Sequence, residues 1–201
     1  MIDFLGIADD AIDVHGAMQK RTELAAFLCL LHSHFDERYP TIWEIGTATG
    51  GTLWALASVF GEGSCYVSID LPGGPHGGAQ CLPDAALHDL IRDAGASDFQ
   101  VVRGNSLTVG ISRLGPRPDL LLIDGDHSER GVRRDWERYE VLVRPGIIAL
   151  HDILPHPPVS GVEVEPVWNE IVASEPNTVE IVDRRPASHG GQWGGIGVVF
   201  R

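Results

Sequence analysis

Three shortages in this chain each remove a class of protein. It has only three cysteines in 201 residues, Cys29, Cys65 and Cys81, an odd number without CxxC spacing. That excludes a disulfide scaffold or a zinc knuckle; Cys29 and Cys65 read as small core residues and Cys81 as a loop thiol. No apolar run approaches the roughly 20 residues that cross a bilayer, and no basic-then-apolar leader opens the chain. A soluble, cytoplasmic protein that does not engage a membrane is expected. Positive charge is scarce too: 15 Lys and Arg against 28 Asp and Glu leave a formal charge of -13. Such a field repels phosphate backbones and argues against a nucleic-acid partner.

What is present is an alternation of two hydrophobic periods. With 43% hydrophobic residues, the chain suits a single domain, 1–201, with a substantial core. Leu24, Phe27, Leu28 and Leu31 recur at helical spacing and predict an amphipathic helix from about Gln19 to Phe35, within a helical extension over 1–35. Short strand-like runs follow at Thr41–Ile45, Cys65–Asp70, Phe99–Asn105, from Leu120, and at Gly146–Ile153. Between them, Leu53, Leu56, Ala57 and Phe60 mark one helix, stopped by Gly61. A second is capped by Asp84 and ends at Gly95, and Val132, Trp136 and Tyr139 mark a third. A helix beginning near Pro166 and the strands "TVEIV" and "IGVVF" close the chain. Pro72–Pro83 is too rich in breakers to be anything but a loop. Repeated helix–strand alternation means an α/β, Rossmann-like, doubly wound and mostly parallel sheet with right-handed crossovers.

In such sheets the chemistry lies at the carboxyl ends of the strands. The first strand ends in Glu44 and runs into Gly46, Gly50 and Gly51, a turn whose backbone N–H groups can approach a ligand; a merely tight strand-to-helix turn is the alternative. The spacing ExGxxxG is not the GxGxxG of a dinucleotide site and fits a cofactor without a pyrophosphate. Asp70 ends the second strand, where a carboxylate accepts from ribose hydroxyls, and Asn105-Ser106 end the third, offering an amide and a hydroxyl to adenine. Three successive strand ends thus suit a nucleoside laid across the sheet. "LLLIDGDHS", Leu120–Ser128, stops an apolar run at two acids and a histidine.

These motifs together resemble the class I S-adenosylmethionine-dependent methyltransferases. "EIGTATGGT" is similar to their first motif, "SIDLP" to their second, and "LLIDGDHS" with "VRPGIIALHDI" to their fourth and fifth. The last pair is most similar to the small-molecule O-methyltransferase branch of macrolide sugar methyltransferases and cephalosporin-hydroxylase-like proteins. Two positions depart from the pattern: Ala48 replaces the usual middle glycine, and His151 stands where metal-dependent relatives often carry an acid. The resemblance implies a seven-stranded sheet with an antiparallel C-terminal edge hairpin, and S-adenosylmethionine as cofactor, bound by Glu44, Gly46, Thr47, Gly50, Asp70, Asn105, Ser106 and Asp124.

It also brings Asp124 and Asp152 to neighbouring strand ends, where two carboxylates repel unless a cation intervenes. A divalent metal, magnesium or manganese, held by Asp124, His151 and Asp152 is the expected resolution, with Asp126 tuning it from beside Asp124. His151 and Asp152, as successive strand residues, are expected on opposite faces, and a plain strand cap is the alternative for "HD". His127, with Asp124, is the catalytic candidate: it matches the position of a base in related O-methyltransferases and can take a proton from an acceptor hydroxyl. His32, His34 and His88 read as surface residues. The implied reaction is metal-assisted methylation of a hydroxylated small molecule; a metal-independent transferase and a non-catalytic nucleotide-binding or assembly module remain the alternatives. The loop over 72–83 and the "HGGQWGG" run near Trp193 are candidates for a lid and a stacking wall. Without a dedicated substrate domain, the pocket wall is left to a second subunit of a homo-oligomer.

Overall fold

The computed structural model describes residues 2–36, 38–74, 80–185 and 193–201. Two helices come first, α1 (Phe4–Asp13) and α2 (Arg21–Phe35), followed by β1 (Thr41–Ile45), α3 (Gly51–Phe60), β2 (Cys65–Asp70), α4 (Asp84–Asp93) and β3 (Asp98–Arg103). The second half adds β4 (Leu120–Ile123), α5 (Glu129–Tyr139), β5 (Ile147–His151), α6 (Val164–Ser174), β6 (Thr178–Ile181) and β7 (Ile196–Phe200). The seven strands run in the order β3-β2-β1-β4-β5-β7-β6. The first five are parallel, whereas β7 lies antiparallel to both β5 and β6. The order reverses between β1 and β4, the switch point at which doubly wound sheets bind ligands.

Strand alternation sorts the core into two layers. Ile42, Tyr66, Leu120, Leu122, Ile147 and Ala149 face α1, α2 and α3, packing with Ala8, Ala11, Leu24, Phe27, Leu28, Leu53 and Leu56. Trp43, Val67, Leu121, Ile123, Ile148 and Leu150 face α5 and α6, packing with Val132, Tyr139, Val167, Trp168 and Ile171. The run "LLLI" is apolar throughout because both of its faces are covered. The same parity holds at the strand ends. Glu44, Asp70, Asp124 and His151 continue the α1–α3 face, so four polar side chains gather at one edge.

Some expectations are corrected. Within 1–35 the helix expected from about Gln19 begins at Arg21 as α2, preceded by α1 and a linker, and the backbone of the α1 end and the linker fills the space beside Gly51, where a Cβ would lie 2.6 Å from Ala17 N and 2.8 Å from Ala11 O. Asp84 is the first residue of α4, not its cap; no side chain caps that helix, and Asp84 instead pairs with Arg103 at 2.8 Å. Cys29 is exposed on α2, not in the core, and Cys65 is half-buried. His32 and His34 are exposed and His88 partly so. Residues 75–79 of the loop over 72–83, and 189–192 of the "HGGQWGG" run, lie outside the described residues. Among those described, no helix is long and apolar enough to cross a membrane.

Candidate active site

The turn after β1 is built from beneath. Gly46 has φ +91, and a Cβ there would lie 2.0 Å from the carbonyl oxygen of Asp124. Only glycine therefore lets the turn lie against the tip of β4. Gly50 is also left-handed, but the space its side chain would need is filled by the Leu87 and Leu90 methyl groups of α4, at 2.5 and 2.8 Å. Its small size serves helix packing. Thr47 turns inward, accepting a hydrogen bond from Ser68 at 2.8 Å and donating one to Glu44. Glu44 is only 1% exposed. Burial, reinforced by the charges of Asp124 and Asp70 against the Thr47 hydrogen bond, pushes its carboxyl up to about 8. Above this layer Asp70 accepts from the Ala48 N–H at 2.5 Å. Cys81 sits beside it, its thiol raised to about 11 by burial and then by Asp70.

The second group lies at the tips of β4 and β5. His151 Nδ1 is 3.2 Å from Asp124 Oδ1 and 3.6 Å from Asp152 Oδ2. Alternation alone would send Asp152 to the other face. It does not, because Asp152 takes φ +61, a left-handed step just past the end of β5 that returns its side chain to His151. His127 Nε2 is 3.1 Å from Asp124 Oδ1 and its Nδ1 3.5 Å from Asp152 Oδ2. His156 Nε2 approaches Asp152 Oδ1 at 3.3 Å. Three imidazoles thus surround two carboxylates. Burial opposes charge on His151, but Asp152 and Asp124 outweigh it and raise the ring to about 9. Burial likewise opposes charge on His127, and the hydrogen bond and charge of Asp124 raise it. Asp124 and Asp152 are held below the usual carboxylate range against the opposing effect of burial, chiefly by His151.

Two cavities meet here. A narrow one, about 90 Å³, is lined by Asp70, Asn105, Ser106, Asp126 and Asp135. A wider one, about 780 Å³, is lined by Gln19, Ala48, Asp124, His127, Asp152 and Trp193, among others. They share Gly46 and Asp70. A ligand reaching from one to the other must pass those two residues.

Of the residues singled out from sequence, Gly46, Asp70, Asn105, Ser106, Asp124, His127, His151 and Asp152 line one cavity or the other; Glu44, Thr47 and Gly50 line neither and form the layer underneath. Asn105 and Ser106 are already engaged: the Asn105 Oδ1 accepts from Leu107 N at 2.8 Å, and Ser106 donates to Asp135 at 2.6 Å. Asp126 is engaged at the start of α5. Its Oδ1 accepts from the amide and hydroxyl of Ser128, which caps α5, and its side chain fills the space a Gly131 Cβ would take.

Three further residues belong to the site. Gln19 donates to Asp124 Oδ2 at 3.2 Å. His156 stands beside Asp152, and Asp135 is a buried helical acid raised to about 6 by burial, with Ser106 opposing. A polar residue inside an otherwise amphipathic helix was the only sequence signal for Asp135; Gln19 and His156 carried none.

A doubly wound sheet with a glycine-bearing first turn, a carboxylate ending its second strand and an acid–histidine cluster across the switch point defines an enzyme that places a nucleoside cofactor beside a polar reaction centre. Residues 43–153, more than half of the chain, match the family model described as "Methyltransferase domain". The chain belongs to that family, the class I S-adenosylmethionine-dependent methyltransferases. Among solved structures it is similar to an O-methyltransferase from Bacillus cereus in complex with S-adenosylhomocysteine, at 20% identity and a TM-score of 0.64, covering 100% of this chain and 92% of that one. It is also similar to the O-methyltransferase TomG from Streptomyces achromogenes, involved in tomaymycin synthesis, at 17% identity and a TM-score of 0.60, covering 100% and 90%. No curated protein sequence matches the chain.

The residues present fit the family's cofactor. The paired cavities joined at Asp70 match a nucleoside with an extended tail, and Gln19 Oε1 is a buried acceptor without a hydrogen-bond partner. They also fit a divalent ion: donor atoms of Asp124, His151 and Asp152 lie within 4.8 Å of one another. Two hard oxygens and one imidazole suit such an ion.

Proposed function

We propose that this protein is an O-methyltransferase that uses S-adenosylmethionine to methylate a hydroxyl of a small metabolite, assisted by a divalent metal held by Asp124, His151 and Asp152. The observation that carries the reading is Asp124. It lies on the wall of the wider cavity, between the cofactor turn at Gly46 and the imidazoles of His127 and His151. The named activities of the Bacillus cereus and Streptomyces achromogenes structures support oxygen as the atom methylated.

In this reading Asp70 accepts from the ribose hydroxyls, and Asn105, Ser106 and Asp135 meet the purine in the narrow cavity. S-adenosylmethionine would supply an electrophilic methyl group, and a divalent ion, if held by Asp124, His151 and Asp152, would supply Lewis acidity beside the acceptor. His127 takes the proton that the acceptor oxygen loses as it gains the methyl. Trp193 walls the acceptor, and Asp124 orients His127 through Nε2 at 3.1 Å, Nδ1 being the nitrogen that receives the proton. Alignment supplies most of the rate, about 7–11 kcal/mol, so the base is the smaller contributor. A metal-independent version is the second reading. His151 between Asp124 and Asp152, at 3.2 and 3.6 Å, favours it, because a protonated imidazole there offsets one of the two negative charges and a protonated His127 the other without an ion.

The test is a panel of hydroxylated acceptors incubated with protein and S-adenosylmethionine, read by mass spectrometry. Methyl transfer to a hydroxyl, lost on chelation and restored by manganese or magnesium, is the expected result, with His127→Ala slowed about 10²–10⁴-fold. Full activity after verified metal removal selects the metal-independent reading. Transfer only to nitrogen or carbon defeats the proposal.

A further inference from the structure

Gln19 lies in the linker between α1 and α2 and is only 6% exposed. Its amide orientation is set by chemistry. Asp124 Oδ2, 3.2 Å away, can only accept while ionised, so the group facing it is the NH₂. The carbonyl Oε1 must then point elsewhere, and it is buried without a hydrogen-bond partner. A buried acceptor left unmet is costly unless a ligand satisfies it.

Asp124 lies on the wall of the wider cavity, its two oxygens facing different partners. Its Oδ1 faces His127 and His151, and its Oδ2 faces Gln19. A ligand threading both cavities passes Gly46 and Asp70. With ribose hydroxyls at Asp70 and the purine toward Asn105 and Asp135, the other end emerges at Gly46, Ala48, Asp124 and Gln19. That end of the cofactor is an amino acid, with one donor cation and one anion. A carbonyl oxygen beside a carboxylate offers nothing to an anion and two acceptors to an ammonium.

We propose that Gln19 holds the amino-acid end of the cofactor, its Oε1 accepting a hydrogen bond from the α-ammonium while its Nε2 keeps Asp124 in place. The inference rests on the methyltransferase reading and adds a binding residue outside the matched 43–153 segment. It ties the N-terminal linker to cofactor capture and makes Gln19 selective for one end of one ligand.

The experiment is calorimetric titration with two ligands, S-adenosylhomocysteine and methylthioadenosine. The second keeps the nucleoside and thioether but lacks the amino-acid end. Gln19→Met, which keeps the length and removes the acceptor, is expected to weaken S-adenosylhomocysteine about tenfold or more and methylthioadenosine by less than about twofold. Methylthioadenosine binding also reports an intact site. Should Gln19→Met fail to fold, Gln19→Asn, which withdraws the amide by one methylene, is read in the same way. Equal losses for both ligands would make Gln19 a structural support of Asp124 and overturn the proposal. No loss for either would point Oε1 at the acceptor and overturn it as well. If the unaltered protein binds neither ligand, the methyltransferase reading fails with it, an outcome distinct from the other two.

Discussion

Glu44 sits where an ionised carboxylate is least stable. It is buried, has one oxygen without a hydrogen-bond partner, and faces the charges of Asp124 and Asp70. Its pKa is raised from the ordinary 4.5 to about 8, so the folded chain retains a proton that the unfolded chain has released. The associated stability is fully present below about pH 4.5 and is lost as the pH rises through 8. At pH 7 the cost is on the order of 3 kcal/mol. Glu44→Gln removes the titration, and its melting temperature without ligands should exceed that of the unaltered protein at pH 8, the gap narrowing toward pH 5. A gap that does not change with pH would show that Glu44 is not the titrating group. From sequence, Glu44 could be singled out as the acid ending the first strand. Its role could not, since only packing reveals that Thr47 covers it and that both cavities lie beyond it.

The turn between β1 and α3 and the tip of β4 behave as one element. A Gly46 Cβ would meet three backbone atoms, Asp124 O at 2.0 Å, Asp124 C at 2.5 Å and Gly125 Cα at 2.7 Å, none of which a side-chain rotation can clear. Gly46→Ala should cost about 2–5 kcal/mol in urea denaturation, combining overpacking with a φ that alanine resists. Affinity for the cofactor and for the proposed metal should fall together, because the turn and Asp124 shift as one. A loss under about 0.5 kcal/mol would mean that the two segments move apart freely. At this scale the sequence was informative about strands: the predicted Thr41–Ile45 and Cys65–Asp70 match β1 and β2, since apolar runs bounded by turn residues are local signals. The end of β5 was not legible. The left-handed step at Asp152 carries no glycine to announce it, yet it brings adjacent residues to one side of the sheet.

Across the whole molecule the two ends of the chain are fastened together by Glu23. This α2 residue, 1% exposed, accepts from the N–H groups of Asp183 at 2.7 Å and Gly195 at 2.8 Å. Lys20, its neighbour on the same side, donates to the Asp183 carbonyl at 2.6 Å and lies 5.7 Å over the Trp193 ring. The N-terminal linker, through Ala17, Met18 and Gln19, and Trp193 ahead of β7 both line the wider cavity. Glu23→Ala leaves two donors unmet and should cost about 2–4 kcal/mol, lowering the melting temperature by on the order of 10 °C. Cofactor affinity should weaken with it. A melting temperature within about 2 °C of the unaltered protein would sever the proposed link between the chain ends.

The sequence by itself determined the alternation of helix and strand, the parallel sheet, the turn after the first strand and the acids at successive strand ends. Each of these is written in spacings shorter than an element, where hydrophobic period and turn chemistry act locally. Only the tertiary structure decided which side chains meet. Gln19 reaches Asp124 across 105 positions and Glu23 reaches Gly195 across 172. Asp126 is drawn to the cap of α5 while His156 joins Asp152. Such pairings depend on how layers pack and where a strand turns out of its plane, and no local pattern records them.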